Sequence, residues 1–500
     1  MYKASINNTK DGGEFTSDLK EPLLQGGQGQ KNDMEKARKQ DSSEHENLET
    51  WHVLKKISQL SIFPIIGMIF HPAYSIFNAI VLGQNEDGRI LASLGLGSLT
   101  LGIVLLSIGS SFNSCLDTLI SQAFGQKDHR LCILYLNRQF YLSTMVFLPL
   151  AIIVYQCETF YVYLGQDPFV AKNASTYVLF NIPGILFATY GSCYSRYFSG
   201  NRYTKADMFS KIGASLVHFG LCYYLAVKRD MGMFGVAVST SFHFFCRFLI
   251  LFLFFKLKSQ FNSQNVSLFH RENFRNLGHQ IKLSFQCASF SIWSWWAFDI
   301  FTLIASYMSV SELAAQTILR NIGLLTYMIP VGIAQASSIT VGNNIGSKNI
   351  QTGMVYAKMC VLTSVIWAAG TVIFLNAMQG TVISVFSNSS EVNSILAKSF
   401  PIISVFVFFD CVQGVGQGII RGLGKQGRAS IITIIGYWGI GIPTSLLCVF
   451  YLDWGIVGLW VGPSLAIIFN FIFYYIIIIK ADWFTIALEA EQRRFREKNQ

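Results

Sequence analysis

From about residue 57 to residue 480 the chain alternates long apolar stretches with short polar breaks. Runs such as FLILFLFF and FNFIFYYIIII carry no charge at all. A helix crossing a bilayer needs roughly 20 mainly apolar residues, and twelve segments meet that length: 57–82, 90–122, 132–156, 170–195, 207–228, 232–256, 282–308, 313–340, 352–377, 393–420, 430–451 and 455–480. The pattern predicts an all-α polytopic membrane protein with twelve transmembrane helices.

The polar breaks fix an orientation. One set of loops carries Lys127, Arg130, Arg196, Arg202, Lys205, Lys256, Lys258, Arg271, Arg275, Lys348, Arg421, Lys425 and Arg428. The alternate set is poor in Lys and Arg and carries Glu86, Asp87, Asp167, Glu312, Glu391 and Asp453. Positive loops stay in the cytosol, so both termini are expected there. The net charge of +10 thus reflects topology and not nucleic-acid binding. Charged residues make up 13% of the chain, against about 25% in a typical soluble domain. The sequons at Asn173 and Asn388 fall in the opposite loops, although Asn7 and Asn265 form sequons on the basic side. Ten scattered cysteines form no CxxC pair and suggest neither a metal site nor a disulfide framework. Residues 1–50 read as a disordered polar tail in which EPLL at 21–24 only faintly resembles a sorting signal; residues 259–281 read as an inter-lobe linker and 481–500 as a C-terminal tail.

A repeat divides the membrane part. DMGMFGVAVSTS at 230–241 matches DWGIVGLWVGPS at 453–464, at an offset of 223. Gln122, Gly125 and Lys127 match Asn343, Gly346 and Lys348 at an offset of 221. A third pairing sets Ser199-Gly200-Asn201 against Leu423-Gly424-Lys425, at an offset of 224. Each half holds six spans, so both cross in the same sense. Residues 51–258 and 282–480 are expected to form two six-helix lobes related by a parallel pseudo-two-fold axis, an arrangement that leaves a cavity between them.

Carboxylates inside a span are costly and mark function by default. Asp117, Asp299 and Asp410 sit well within the segments, and the intramembrane charge therefore reads as acidic. The alternative for each is neutralisation by a nearby Lys or Arg. Trp293, Trp295 and Trp296 stand beside Asp299, and aromatic faces hold organic cations. Asn321 and Tyr437 are further polar groups on the second-half segments, where helix–helix hydrogen bonding is the commoner role. Pro64, Pro72, Pro183, Pro330 and Pro443 interrupt apolar segments and can act as bends or hinges. No Walker loop, HExxH or Ser/His/Asp cluster appears, so the chain does not read as an enzyme and energy has to come from a gradient.

Over residues 50–480 the sequence resembles the eukaryotic branch of the multidrug and toxic compound extrusion (MATE) family. The residues that carry the resemblance are Leu116-Asp-Thr-Leu with Gln122-Ala-Phe-Gly, Trp295-Trp-Ala-Phe-Asp299, Tyr327-Met-Ile-Pro-Val-Gly, Val341-Gly-Asn-Asn-Ile-Gly, Phe409-Asp-Cys with Arg421-Gly-Leu-Gly, and Gly436-Tyr-Trp-Gly-Ile-Gly-Ile-Pro443. The resemblance implies export of organic, cationic or xenobiotic compounds in exchange for protons, or alternatively sodium. It implies no bound cofactor. A lipid-linked saccharide flippase is the alternative from the same superfamily, and it would want a basic cavity. Asp410 matches the family's segment-ten acid, and Asp299 the later of two acids on segment seven; Ser294 replaces the earlier one. Asn321 stands where some members carry Glu, and Asn78 where many prokaryotic members have a coupling Asp. The coupling site is therefore expected at Asp410, Asp299 and Asn321. Trp295, Trp296, Tyr437, Tyr327 and Gln122 are expected to line the substrate cavity. The expected partners are small organic solutes and the lipid bilayer, the protein is expected to be a monomer, and its membrane to be the plasma membrane or a vacuolar or endosomal one.

Overall fold

The computed structural model describes residues 50–84, 87–258 and 267–498. The expected N-terminal tail, the EPLL stretch, Glu86 and the sequons at Asn7 and Asn265 lie outside these residues. All described elements are helical. We number the twelve spans α1 (Thr50–Gly83), α2 (Gly88–Gly125), α3 (His129–Tyr155), α4 (Pro168–Gly200), α5 (Lys205–Cys222), α6 (Gly232–Leu257), α7 (Leu277–Ser306), α8 (Val310–Gly346), α9 (Ile350–Ala377), α10 (Ser390–Leu423), α11 (Gln426–Phe450) and α12 (Gly455–Lys480). Ten of them have both the length and the apolar composition to cross a membrane. The other two, α4 and α5, carry Lys172, Arg196, Lys205, Asp207 and Lys211.

Helix ends follow local chemistry. Asp167 caps α4 by accepting from the backbone of Phe169 at 2.8 Å, with Pro168 in the first turn. Ser309 and Glu312 form a capping box at the start of α8. Pro72 stands where α1 breaks between Phe70 and Ala73, whereas Pro64, Pro183 and Pro330 lie inside continuous helices. Pro443 follows a π-helical stretch at Ile435–Gly441 in α11. All ten cysteines are free.

The repeat is visible in the backbone. Left-handed conformations recur at Lys127 and Lys348 (φ 56° and 63°), at Asp230 and Asp453 (54° and 53°), and at Gly232 and Gly455 (50° and 56°). These are the positions paired in the sequence. The third pairing is displaced by two residues. Gly200 is helical and packs on Ile120, and its structural counterpart is Gly422, which packs on Val341; the left-handed Gly424 corresponds to Arg202 (φ 73° and 62°).

The lobes meet through the halves of α1, α2, α7, α8 and α10 nearer the basic loops. Gly332 on α8 packs on Ser61 and Ile65 of α1. At the pseudo-axis the contact is reciprocal: Gly125 lies on the backbone of Asn343, and Gly346 on that of Gln122. Thr118 donates to the Arg421 carbonyl at 2.5 Å and Gln426 to Thr118 at 2.7 Å. Gln335 donates to Ser199 at 2.7 Å.

Within the expected C-terminal tail, Trp483–Lys498 form a helix. Helix α13 (Trp483–Lys498) starts at Asp482, whose carboxylate accepts from the backbone of Phe484 and Thr485. Its buried residues Trp483, Ile486, Ala487 and Ala490 follow an i, i+3, i+4, i+7 spacing and pack with Val341, Ile350, Ile420 and Tyr474 of the second lobe.

Candidate functional site

The second-lobe carboxylates have different surroundings. Asp299 on α7 pairs with Arg320 on α8 at 2.8 Å, and Arg320 also donates to Thr302 at 2.9 Å. Asp410 lies near the middle of α10, flanked by Phe408, Phe409 and Cys411, and has no ion-pair or hydrogen-bond partner among the described residues. It is half-buried, and the phenols of Tyr327 and Tyr437 lie within electrostatic range. Tyr327 seats against Gly414, one turn further along α10, where any side chain would collide with its ring. Tyr437 is 2% exposed and packs on Phe298. Asp410, Tyr327 and Tyr437 thus form one locality. Asn321 is exposed on α8.

The tryptophans separate by direction. Trp293 packs edge-on with Trp296 at 6.0 Å and with Trp438 at 5.5 Å, and its backbone carbonyl accepts from the Trp438 indole at 3.0 Å. The Trp296 indole nitrogen is buried without a hydrogen-bond partner among the described residues. Trp295 is 64% exposed. Gln122 belongs to the inter-lobe seal: its amide donates to the Gly422 carbonyl at 2.9 Å and its oxygen accepts from Arg493 at 2.6 Å.

The structure also pairs intramembrane acids with cations, the alternative that the sequence left open. Asp117 pairs with Arg196 and lies 3.9 Å from Arg421. Asp207 accepts from Lys211 at 2.7 Å and from Arg247 at 3.0 Å. The intramembrane charge is therefore mixed and not purely acidic. The missing signal was present in the sequence: Lys211, Arg247 and Arg320 interrupt segments five, six and eight. Asn470 on α12, 0% exposed against Gly436, is a further buried polar group of the second lobe. In the first lobe, Asn78 donates to Thr240 at 2.9 Å, and its oxygen faces His218 at 3.0 Å.

Residues 64–224 and 288–447 match the MatE family model, one match in each lobe. The chain is 29% identical to mouse multidrug and toxin extrusion protein 2 over 445 residues, covering 87% of this chain and 76% of that protein. It is 27% identical to Arabidopsis thaliana protein DETOXIFICATION 16 over 413 residues, covering 81% and 84%. The crystal structure of the eukaryotic MATE transporter AtDTX14 superposes with a TM-score of 0.82 at 20% identity, covering 89% of this chain and 99% of that one. An outward-facing MATE family transporter superposes at 0.71 and 17% identity, covering 89% and 97%. Two matched repeats, one per six-helix lobe, make this chain a member of the MatE family of membrane transporters.

Proposed function

We propose that the protein is a proton-coupled antiporter that exports organic compounds bearing a basic nitrogen, working by alternating access. The observation that carries this reading is the unpaired Asp410 on α10, in the same lobe as an Asp299 already neutralised by Arg320. An unpaired carboxylate in low dielectric is stabilised either by a proton or by a cation. Proton and substrate nitrogen therefore compete for one negative charge, and loading one expels the other. The aromatic groups of Tyr327, Tyr437 and Phe409 supply the walls. The loop charges support cytosolic termini, so the lobes are sealed on the cytosolic side in the present conformation and substrate leaves from the opposite face. The membrane is the plasma membrane or that of an acidic vacuole or endosome, where the proton gradient has the required sign.

The test is efflux of a fluorescent organic cation from proteoliposomes under an imposed pH gradient or an imposed sodium gradient. Flux driven by pH in the native chain and abolished in Asp410→Asn is the expected result. Flux driven by sodium alone would replace the proton with sodium. Full pH-driven flux in Asp410→Asn would remove Asp410 from the mechanism.

A further inference from the structure

The first lobe and the floor beneath it hold more cations than acids, Lys211 buried and Arg247, Arg196 and Arg421 partly buried. Lys211 on α5 and Arg247 on α6 share the single carboxylate of Asp207, with side chains 9%, 13% and 9% exposed. Arg196 on α4 and Arg421 on α10 share that of Asp117. The two clusters adjoin, because Ser195, the neighbour of Arg196, hydrogen bonds to Asp207. Four cations thus face two carboxylates. The other titratable groups around the upper cluster are His71, His243 and Tyr74, and none of them brings a negative charge.

One further observation points to a missing partner. The Nε atoms of Arg247 and Arg196 are buried and have no hydrogen-bond acceptor among the described residues. Lys211 is held in place by the close approach of Gly67 on α1, where a larger residue would press on its side chain. A guanidinium presents a planar fork that fits a carboxylate or another oxyanion. Excess positive charge in low dielectric is costly unless an anion completes it. Asp410, the unpaired acid, lies in the other lobe.

We infer that the first lobe carries an anion subsite centred on Arg247, Lys211 and Arg196, and that the transported compounds are amphoteric, with a carboxylate or similar anionic group seated there. The inference rests on the proposed exchange at Asp410, which holds the basic nitrogen of the same molecule. It names the substrate class: organic zwitterions in preference to simple organic cations.

The experiment uses the full chain in phosphatidylcholine proteoliposomes, which supply no anionic lipid. The readout is inhibition of fluorescent-cation efflux by a trialkylammonium ion and by the same ion bearing a terminal carboxylate. The carboxylate form is expected to inhibit at a concentration about tenfold lower or more, the scale of one charge-assisted hydrogen-bonding partner. Arg247→Gln leaves Asp207 and Lys211 as a one-to-one pair, and is expected to collapse that ratio; Arg247→Lys is expected to restore much of it. A ratio near one in the native chain would overturn the subsite. So would a ratio left intact by Arg247→Gln, even with both inhibition constants shifted together, because that is the mark of a purely structural role. Loss of the native ratio on adding anionic lipid would assign the subsite to a headgroup and overturn the substrate reading. The proposed exchange fails separately, through absence of pH-driven efflux of the cation itself.

Discussion

Arg493 of the C-terminal helix donates to the side-chain oxygen of Gln122 at 2.6 Å, tying α13 to the first lobe although its apolar face is packed in the second. The bond is one of several. Arg494 and Lys498 reach Asp128 at 2.9 and 3.2 Å, and Glu497 pairs with Arg138, which is 1% exposed, at 2.9 Å. On the second lobe, Lys348 holds Glu491 at 2.7 Å and Lys425 holds Glu489 at 3.3 Å. Helix α13 therefore spans the seam at the basic-loop end, and the lobes separate there only if its first-lobe contacts break.

Removing residues 483–500 should shift the protein toward the conformation open at that end. Spin labels at Lys127→Cys and Asn349→Cys, on the repeat-related turns that follow α2 and α8, report the separation. A longer-distance population is expected in the truncated chain, and Arg493→Ala should give part of the same change. An unchanged distance distribution would mean that α13 rides on the second lobe without restraining the first.

The reciprocal glycine contact makes a sharper demand. A methyl group on Gly125 would enter the space of the Asn343 carbonyl, and one on Gly346 that of the Gln122 carbonyl. Backbone cannot rotate away as a side chain does, so Gly125→Ala and Gly346→Ala should each destabilise the sealed state by about 1–3 kcal/mol, the usual cost of overpacking. Both should lower transport while leaving each lobe folded. Because the contacts are related by the repeat, the two variants should resemble each other in the spin-label distances.

Much of this was legible before any coordinates. The bilayer restricts spanning structure to helices whose backbone is satisfied internally, so apolar length together with loop charge marks twelve segments, ten of which also have the composition to cross a membrane. Left-handed positions such as Asp230 and Asp453 betrayed the repeat because they terminate equivalent turns. The Asp299–Arg320 pair is the neutralisation by a nearby Arg that the sequence leaves open as an alternative, and Arg320 interrupts segment eight as plainly as Asp299 interrupts segment seven. Helix α13 escaped because it is short and strongly charged. Its four buried residues, Trp483, Ile486, Ala487 and Ala490, become a pattern only once their spacing is read at helical period. The role of Gln122 depends on Arg493, 371 positions away in the chain, and no local pattern encodes that pairing.

The Asp299–Arg320 pair can be separated from Asp410 by a double-mutant cycle. Arg320→Gln leaves a carboxylate without its cation inside the lobe, while Asp299→Asn with Arg320→Gln removes both charges. Breaking a buried pair costs more than deleting it, and with side chains 34% and 26% exposed the loss for Arg320→Gln alone should be roughly 1–3 kcal/mol. The double variant should recover most of the thermal stability in detergent. If it retains pH-driven flux, Asp299 is a structural ion-pair partner and coupling rests on Asp410.

The α13 contacts also have a defined pH dependence, set by Asp128 in the turn before α3. Burial alone would raise its carboxyl, but hydrogen bonds from Arg494, the Leu131 amide and Lys498 outweigh that and hold it below the ordinary 3.8. A lowered folded value means that the contact contributes fully above 3.8 and is lost as pH falls through the lower folded value. Anisotropy of a fluorophore at Gln492→Cys, an exposed position on α13, should therefore stay flat from pH 7 to about 4 and fall only at stronger acidity. Asp128→Asn should show the reduced anisotropy already at pH 7. A fall in the native chain near pH 6 would identify a different group, such as a histidine, as the one that holds the helix in place.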